Sequence, residues 1–407
     1  MSSTSKILFL YTLDFPYGNI EPYLFNELPI LCTYFKKIII VPSEKREANN
    51  VLPENVEVVC AQDIAFHSTK KKLFLKNFFL IAGILAAEFF NCKAKLFFFS
   101  RFRLTLSEIL YSLVLSEKMK TLIDKETLPA IHYSFWMNDY VLSLSILKQK
   151  KQITNYAFRV HGFDLYEERR PYNYIPFRER NYKYSSGIYS VSKLGLNYIK
   201  LRFSFSEKAN YSYLGTLDHG INPFSDKLFI IVTCSGIIPL KRLDLLAKAI
   251  ALIQFPVKWY HFGDGNNKNK EELQKITNRF AQNIEVEFKG HVSQKEIFDF
   301  YKTNPVSVFI NVSETEGLPV SVMEAISFGI PVIGTDVGGT SEIITSQTGW
   351  LVKKDITEKE LADKINSFKI SDLNSVDFRK KVKIFWHENF SAQKNYNQFS
   401  GQLLALK

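Results

Sequence analysis

The residues best suited to chemistry lie in the run NVSETEGLPVSVMEAISFGIPVIGTDVGGTSEII, from Asn311 to Ile344. A strand is predicted to end near Ser313 and a helix to begin close to Pro319. A proline is tolerated in a first helical turn, where its missing N–H costs nothing. Gly317, Leu318, Pro319 and Val320 surround that helix start, whose free amides and positive dipole end suit a phosphate. Glu316 sits just ahead of the helix and Glu324 in its second turn. A carboxylate accepts hydrogen bonds from vicinal hydroxyls of a ribose or sugar. Two of them astride a phosphate site can therefore hold both ends of a nucleotide sugar. Each residue also has a plainer reading. A glutamate near a helix start commonly answers the helix dipole, and Gly338 and Gly339 can serve a tight turn alone.

Three other segments carry candidate groups. In CSGIIPLKR, Lys241 and Arg242 follow a strand and can neutralise a diphosphate, although adjacent basic residues near a helix start are usually a solvated face. HFGDG holds Gly263 and Gly265 in a turn after the next strand, and Gly290, His291 and Val292 follow the one after that. In RVHGFDLYEERR, Arg159 and His161 close a strand. The histidine is either a structural ring or one that leans into a cleft, and Arg159 either supports it or meets a phosphate. Gly18 lies in the loop after the first strand.

These residues need a scaffold that brings strand ends together, and the hydrophobic pattern supplies one. In the first half, strands are predicted at KILFLYT, KKIIIVP, AIHYSF, ITNYAFRV, IYSVS and NYSYLG. The first helix is expected over about Asn19 to Thr33, and Ser192 is placed to cap a helix starting at Lys193. The second half alternates strand and helix more regularly, from LFIIVTC to PVIGTDV, with apolar residues three and four apart in LKRLDLLAKAIAL. Such alternation implies an α/β fold with mostly parallel sheets whose ligands sit beyond the C-terminal strand ends. The predicted division is residues 1–214 as an acceptor-binding domain, 215–227 as a linker, 228–377 as a donor-binding domain, and 378–407 as a segment returning to the first domain.

The Glu316–Glu324 segment resembles the signature of retaining glycosyltransferases of family 4, in which two glutamates are separated by seven residues. Gly317, Ala325, Gly329, Pro331, Gly338, Gly339, Glu342 and Gly349 fit around it. The resemblance is strong from Val232 to Val352 and looser before Tyr189. It implies the GT-B fold, two Rossmann-like domains facing an interdomain cleft, and a role in surface glycan synthesis. It further implies that Glu324 binds the donor's ribose, that Glu316 lies near the donor sugar hydroxyls, and that Lys241 binds phosphate. Gly263 would lie beside the nucleotide, backbone groups around His291 would read the base, His161 would contact the donor sugar region, and Gly18 would bring backbone to the diphosphate. Catalysis is thus expected from His161, Glu316 and Lys241, acting on a nucleoside diphosphate sugar and a saccharide or lipid-linked saccharide acceptor. Three departures stand out: Ser235 where an arginine is common, Pro319 where a glycine is common, and a single Gly18 where a glycine pair is common. Glu21 and Glu27 resemble a branch acting in cell-surface polysaccharide assembly, yet read as structural. The rival readings are a nucleotide-sugar epimerase or phosphorylase, and a non-catalytic glycan-binding scaffold at a membrane surface.

Composition narrows the partners. A formal charge of +11 favours anionic ones, but no zinc-finger spacing or RNP-type run supports nucleic acid. No Asp-x-Asp pair falls in a convincing strand-end loop and no His/Cys cluster has metal-ligand spacing, so no cofactor and metal-independent chemistry are expected. Four widely spaced cysteines and an N-terminal run that reads as a strand point to a cytoplasmic protein. The stretch Asn77–Cys92 is strongly apolar and flanked by Lys70, Lys71, Lys72 and Lys76 before it and Lys93, Lys95, Arg101 and Arg103 after it. Residues 70–103 read either as a buried core helix with a solvated flank or as a segment docking on the anionic inner face of a membrane.

Overall fold

The computed structural model describes residues 4–18, 20–44, 51–66, 68–92 and 95–406, without the side chains of residues 4 and 95–97. Two compact units form: residues 1–214 with 396–407, and residues 215–395.

The first unit is built on seven parallel strands, β1 (Thr4–Thr12), β2 (Phe35–Pro42), β3 (Val56–Val58), β4 (Ala130–Ser134), β5 (Tyr156–Val160), β6 (Gly187–Ser190) and β7 (Ala209–Tyr211). Their order is β3-β2-β1-β4-β5-β6-β7. The central strands are continuous apolar runs because helices cover both faces; Leu8 of β1 pairs with Ile38 on one side and Ile131 on the other. The strand order reverses between β1 and β4, which puts the loops after these strands at the crevice where open α/β sheets bind ligands. Glu21 ties those loops together. Its carboxylate accepts the amides of Leu13, Asp14 and Phe15 at 3.0–3.1 Å and the Trp136 indole N–H at 2.8 Å. This is why the first helix, Leu24–Tyr34, starts later than predicted: the chain before it is held in a loop by Glu21, and Asn19 itself lies outside the described residues.

The second unit has six parallel strands, β8 (Phe229–Cys234), β9 (Val257–Phe262), β10 (Ile284–Gly290), β11 (Val308–Asn311), β12 (Val332–Thr335) and β13 (Gly349–Val352). Their order, β10-β9-β8-β11-β12-β13, reverses between β8 and β11.

Residues 215–227 are not a separate linker. Thr216 exchanges backbone hydrogen bonds with Phe390 and Ala392 and accepts the Trp386 indole N–H at 2.7 Å, while Asn222 donates to the Tyr301 and Asn304 carbonyls. The helix Val376–Phe390 likewise belongs to the second unit, with the Arg379 guanidinium donating to Asn222 Oδ1 at 2.9 Å and to the Val306 carbonyl. Only Tyr396–Lys407 joins the first unit, where Phe399 packs on Tyr133 and Tyr189.

Candidate functional site

The loops after β8 and β11 converge at the reversal of the second sheet. Lys241, in the 3-10 turn Pro239–Lys241, places its Nζ 2.6 Å from Glu316 Oε1. Asn311, the last residue of β11, donates its side-chain amide to the same oxygen at 3.2 Å. The Glu314 amide bonds to the Leu240 carbonyl at 2.9 Å, so backbone joins the two loops as well. Both ends of the Lys241–Glu316 pair stay partly exposed, at 22% and 11%.

Arg242 has a different job. Its guanidinium donates to the Val312 carbonyl through Nε and the Lys354 carbonyl through Nη1, both at 2.6 Å. The residue stands at φ +48, a left-handed conformation that costs a non-glycine residue about 1–2 kcal/mol. These two bonds hold it there at the N-cap of the helix Leu243–Ile250. Two of the three guanidinium nitrogens thus brace the loops beside the Lys241 turn, while Nη2 has no hydrogen-bond partner among the described residues.

Downstream of Glu316, the helix runs from Val320 to Ser327. Pro319 is its N-cap rather than a first-turn residue, at φ −72 and ψ 107. The cap has no side-chain acceptor, so nothing in the cap residue competes for the first amides, which include that of Val320. Gly317 and buried Leu318 lead into it. Gly338 stands at φ +56 and lets its backbone close on this loop; a Cβ there would meet the Glu316 carbonyl oxygen at 2.0 Å. Gly263, at φ +131, serves the neighbouring loops in the same way, since a Cβ there would meet the Ser235 carbonyl oxygen at 1.9 Å. Its amide bonds to the Gly290 carbonyl at 2.8 Å, next to the exposed His291.

Glu324 is 7% exposed and takes a hydrogen bond from the Gln294 side-chain amide. Burial pushes its carboxyl up to about 7, and the Gln294 bond only partly counters this. Gln294 was not singled out on sequence. The signal is the capping box formed by Ser293 and Glu296, which makes Gln294 the first residue of the helix Gln294–Thr303 beyond β10. Asn311 was missed too, although it is the polar end of an apolar strand.

A consequence follows for stability. A protonated Glu324 suits the unliganded fold, and its folded-state value lies above the ordinary 4.5. Its contribution is therefore complete below the unfolded-chain value and is lost as pH rises through about 7. We expect Glu324→Gln to melt a few degrees above the wild type at about pH 8 and level with it at about pH 4, while weakening nucleotide binding. Thermal scans across that range check it. A Tm difference independent of pH would remove Glu324 as a buried, strained carboxylate.

In the first unit, His161 caps the short helix Gly162–Leu165, its amide donating to Asp164. Its ring lies against Phe135 and Trp136, with centroids 4.8 and 4.1 Å away, and neither ring nitrogen has a hydrogen-bond partner among the described residues. Burial, then the nearby Arg159 charge, hold the imidazole well below its ordinary value, so the ring is neutral. Arg159 does not meet a phosphate. It is wholly buried, paired with Glu27 at 3.0 Å and bonded to Ser212 at 3.2 Å. Gly18 closes the turn after β1, its amide bonded to the Asp14 carbonyl at 3.1 Å. That amide is thus committed to the turn rather than offered to a diphosphate. Close by, a cavity of about 650 Å³ is lined by Arg101, Glu108, Trp136, Asp139, Arg170 and Tyr174, among others. Among the described residues no group of three or more His, Cys, Asp or Glu side chains could hold a metal ion.

Residues 216–384 match the family described as Glycosyl transferases group 1. The chain is 26% identical over 162 residues to the GtfA subunit of a UDP-N-acetylglucosamine–peptide N-acetylglucosaminyltransferase of Streptococcus agalactiae, covering 38% of this chain and 31% of the relative. It is 32% identical over 126 residues to the O-antigen biosynthesis glycosyltransferase WbnH of Escherichia coli, covering 31% and 33%. The chain thus spans about a third of the length of these curated relatives. Among solved structures, HepE of Anabaena in complex with UDP superposes with a TM-score of 0.67 over 98% of this chain and 99% of that one, at 16% identity. The sucrose-phosphate synthase of Thermosynechococcus elongatus does so with 0.69 over 98% of each chain, at 15% identity. With two parallel sheets in two Rossmann-like units and these likenesses along its whole length, the chain has the GT-B fold.

Proposed function

We propose that this chain is a retaining, family 4-like glycosyltransferase. It moves a hexose-like unit from a nucleoside diphosphate sugar to a hydroxyl of a saccharide or lipid-linked saccharide, in surface glycan synthesis on the cytoplasmic face of a membrane. The observation that carries this reading is Lys241 Nζ held 2.6 Å from Glu316 beside an N-cap without a side-chain acceptor, with Glu324 buried in that same helix. The names of the relatives and the UDP held by HepE support it.

As the anomeric bond breaks, negative charge grows on the departing diphosphate. Lys241 and the amides at the start of the helix Val320–Ser327 stabilise that charge. Glu316 accepts from donor sugar hydroxyls, and Glu324, ionised on binding, accepts from the ribose, with Gln294 as its second partner. His161, neutral and with neither ring nitrogen hydrogen-bonded among the described residues, donates to or accepts from the donor sugar region. Groups around Gly263 and His291 border the nucleotide. A diphosphate oxygen takes the acceptor's proton on the face that the leaving group vacates, which preserves the anomeric configuration. The chemistry assigns no step to a metal.

The test has two stages. Thermal shift with UDP-, GDP- and ADP-sugars is expected to pick out one donor class, and NMR of the product made from it is expected to show the donor's anomeric configuration. An inverted product would overturn the mechanism. Activity that disappears with a chelator and returns with a divalent ion would overturn its metal independence.

A further inference from the structure

The helix Phe78–Asn91 is built inside out. Its outward positions are Phe78, Phe79, Ala82, Gly83, Ala86, Ala87, Phe90 and Asn91, with no charge among them. Its one charged residue, Glu88, points inward, where its carboxylate accepts the Tyr174 hydroxyl at 2.6 Å and the Phe177 amide at 3.0 Å. The inner face is already satisfied, since Ile81 and Ile84 pack with Ile109, Leu113, Leu142 and Ile146. A surface helix in water carries its polar residues outward; this one carries phenylalanines. Phe79 is 89% exposed and Phe90 76%. Eleven residues apart, they lie on nearly the same side of an α-helix.

The neighbouring elements extend the face. Leu75 is exposed on the helix Lys70–Lys76, and Phe99, Phe102 and Leu104 on the helix Lys95–Ile123. Charge complements it. Between Asp63 and Glu108 the sequence has eight lysines and arginines and one acid, the inward Glu88. Lys70, Lys71, Lys72, Lys76 and Arg103 are exposed beside the aromatic face; Lys93 and the side chain of Lys95 lie outside the described residues.

Among the described residues no single helix is long and apolar enough to cross a membrane, and the pair Lys70–Lys76 and Phe78–Asn91 is bent by 79°. Fourteen residues of helix reach about 21 Å, short of the roughly 30 Å of a hydrocarbon core. The geometry fits a helix lying in the interface, aromatic side in the acyl boundary and lysines among the headgroups.

We propose that the outer face of the helices Lys70–Lys76 and Phe78–Asn91, extended by Phe99, Phe102 and Leu104, docks this chain on an anionic lipid bilayer. The proposal rests on the membrane-facing part of the function above and supplies its surface. Docking would also bear on the acceptor. Tyr174 and Phe177, which Glu88 grips from this helix, line the 650 Å³ cavity of the first unit, so the bilayer face and that cavity share one support. A saccharide anchored in the bilayer would meet the cavity at the membrane surface.

The experiment is sedimentation of the full chain with phosphatidylcholine vesicles, with and without about 30% phosphatidylglycerol. Wild type is expected to sediment with the anionic vesicles. A Phe79→Ser/Phe90→Ser variant and a Lys70→Ser/Lys71→Ser/Lys72→Ser variant should each lose affinity by about tenfold or more. Both should keep the wild-type thermal shift with UDP, which reports an intact fold. Glu324→Ala should show the reverse, losing the UDP shift and keeping the vesicles, so failure of the donor site and failure of docking are told apart. Wild type left in the supernatant, or a phenylalanine variant that sediments unchanged, overturns the proposal. So does a wild-type dimer that ignores vesicles and falls apart in the phenylalanine variant, which would assign the face to a second copy of this chain.

Discussion

Lys241→Met is expected to lower kcat by about a hundredfold to a thousandfold, with folding and Tm close to wild type. The side chain is partly exposed and its partner Glu316 keeps a second donor in Asn311, so loss of the ammonium leaves no buried orphan charge. The effect should fall on turnover, because the negative charge on the diphosphate increases from the bound donor to the transition state as the anomeric bond breaks. A Lys241→Met/Glu316→Gln double variant should be far less than the product of the two single losses, since the two groups work as one unit. Steady-state kinetics with the donor found by thermal shift gives both numbers. A loss under about threefold, or strict multiplicativity, would place the leaving group elsewhere than at this pair. Lys241→Arg tests geometry separately, as a wider planar cation cannot repeat a single 2.6 Å contact with Glu316 without moving the turn.

How far such a site is legible without coordinates depends on how local its signals are. The strands of the second unit were readable because each is a short apolar run bounded by turn residues, and the loops that follow contain the glycines and charges of the site. The bracing role of Arg242 is not legible because its partners are carbonyls: nothing in a sequence marks the Val312 and Lys354 oxygens as its acceptors. Arg159 failed for a different reason. Its partner Glu27 lies 132 positions away, beyond any local pattern, and only the stacking of β1, β4 and β5 brings the helix Leu24–Tyr34 over it. The long helix Lys95–Ile123 is not among the elements the sequence predicts. Periodicity needs one polar and one apolar side, and this helix mixes exposed Phe99, Phe102 and Leu104 with exposed Ser100 and Arg103 on its outer side.

The largest effect on folding is expected from the Glu27–Arg159 pair. Both side chains are fully buried, the ion pair closes at 3.0 Å, and the guanidinium lies over the Phe399 ring at 4.3 Å, with Tyr133, Phe135 and Tyr396 around it. Removing one charge from such a pair leaves the other without compensation in a low-dielectric core, which costs about 3–5 kcal/mol. Glu27→Ala and Arg159→Met should therefore each destabilise the first unit by that amount, seen as faster hydrogen exchange across β5, residues 156–160. The double variant Glu27→Met/Arg159→Met should recover most of the loss, because two apolar side chains can fill the space without desolvating any charge. Phe399 belongs to the last twelve residues, 396–407, so losing the pair should also release that segment, and proteolysis from the C-terminus should speed up in the single variants alone. Single variants that cost less than about 1 kcal/mol would mean water reaches the pair. The contrast with Lys241 is then direct: loss of one cation is expected to show in turnover and not in the fold, loss of the other in the fold of the first unit.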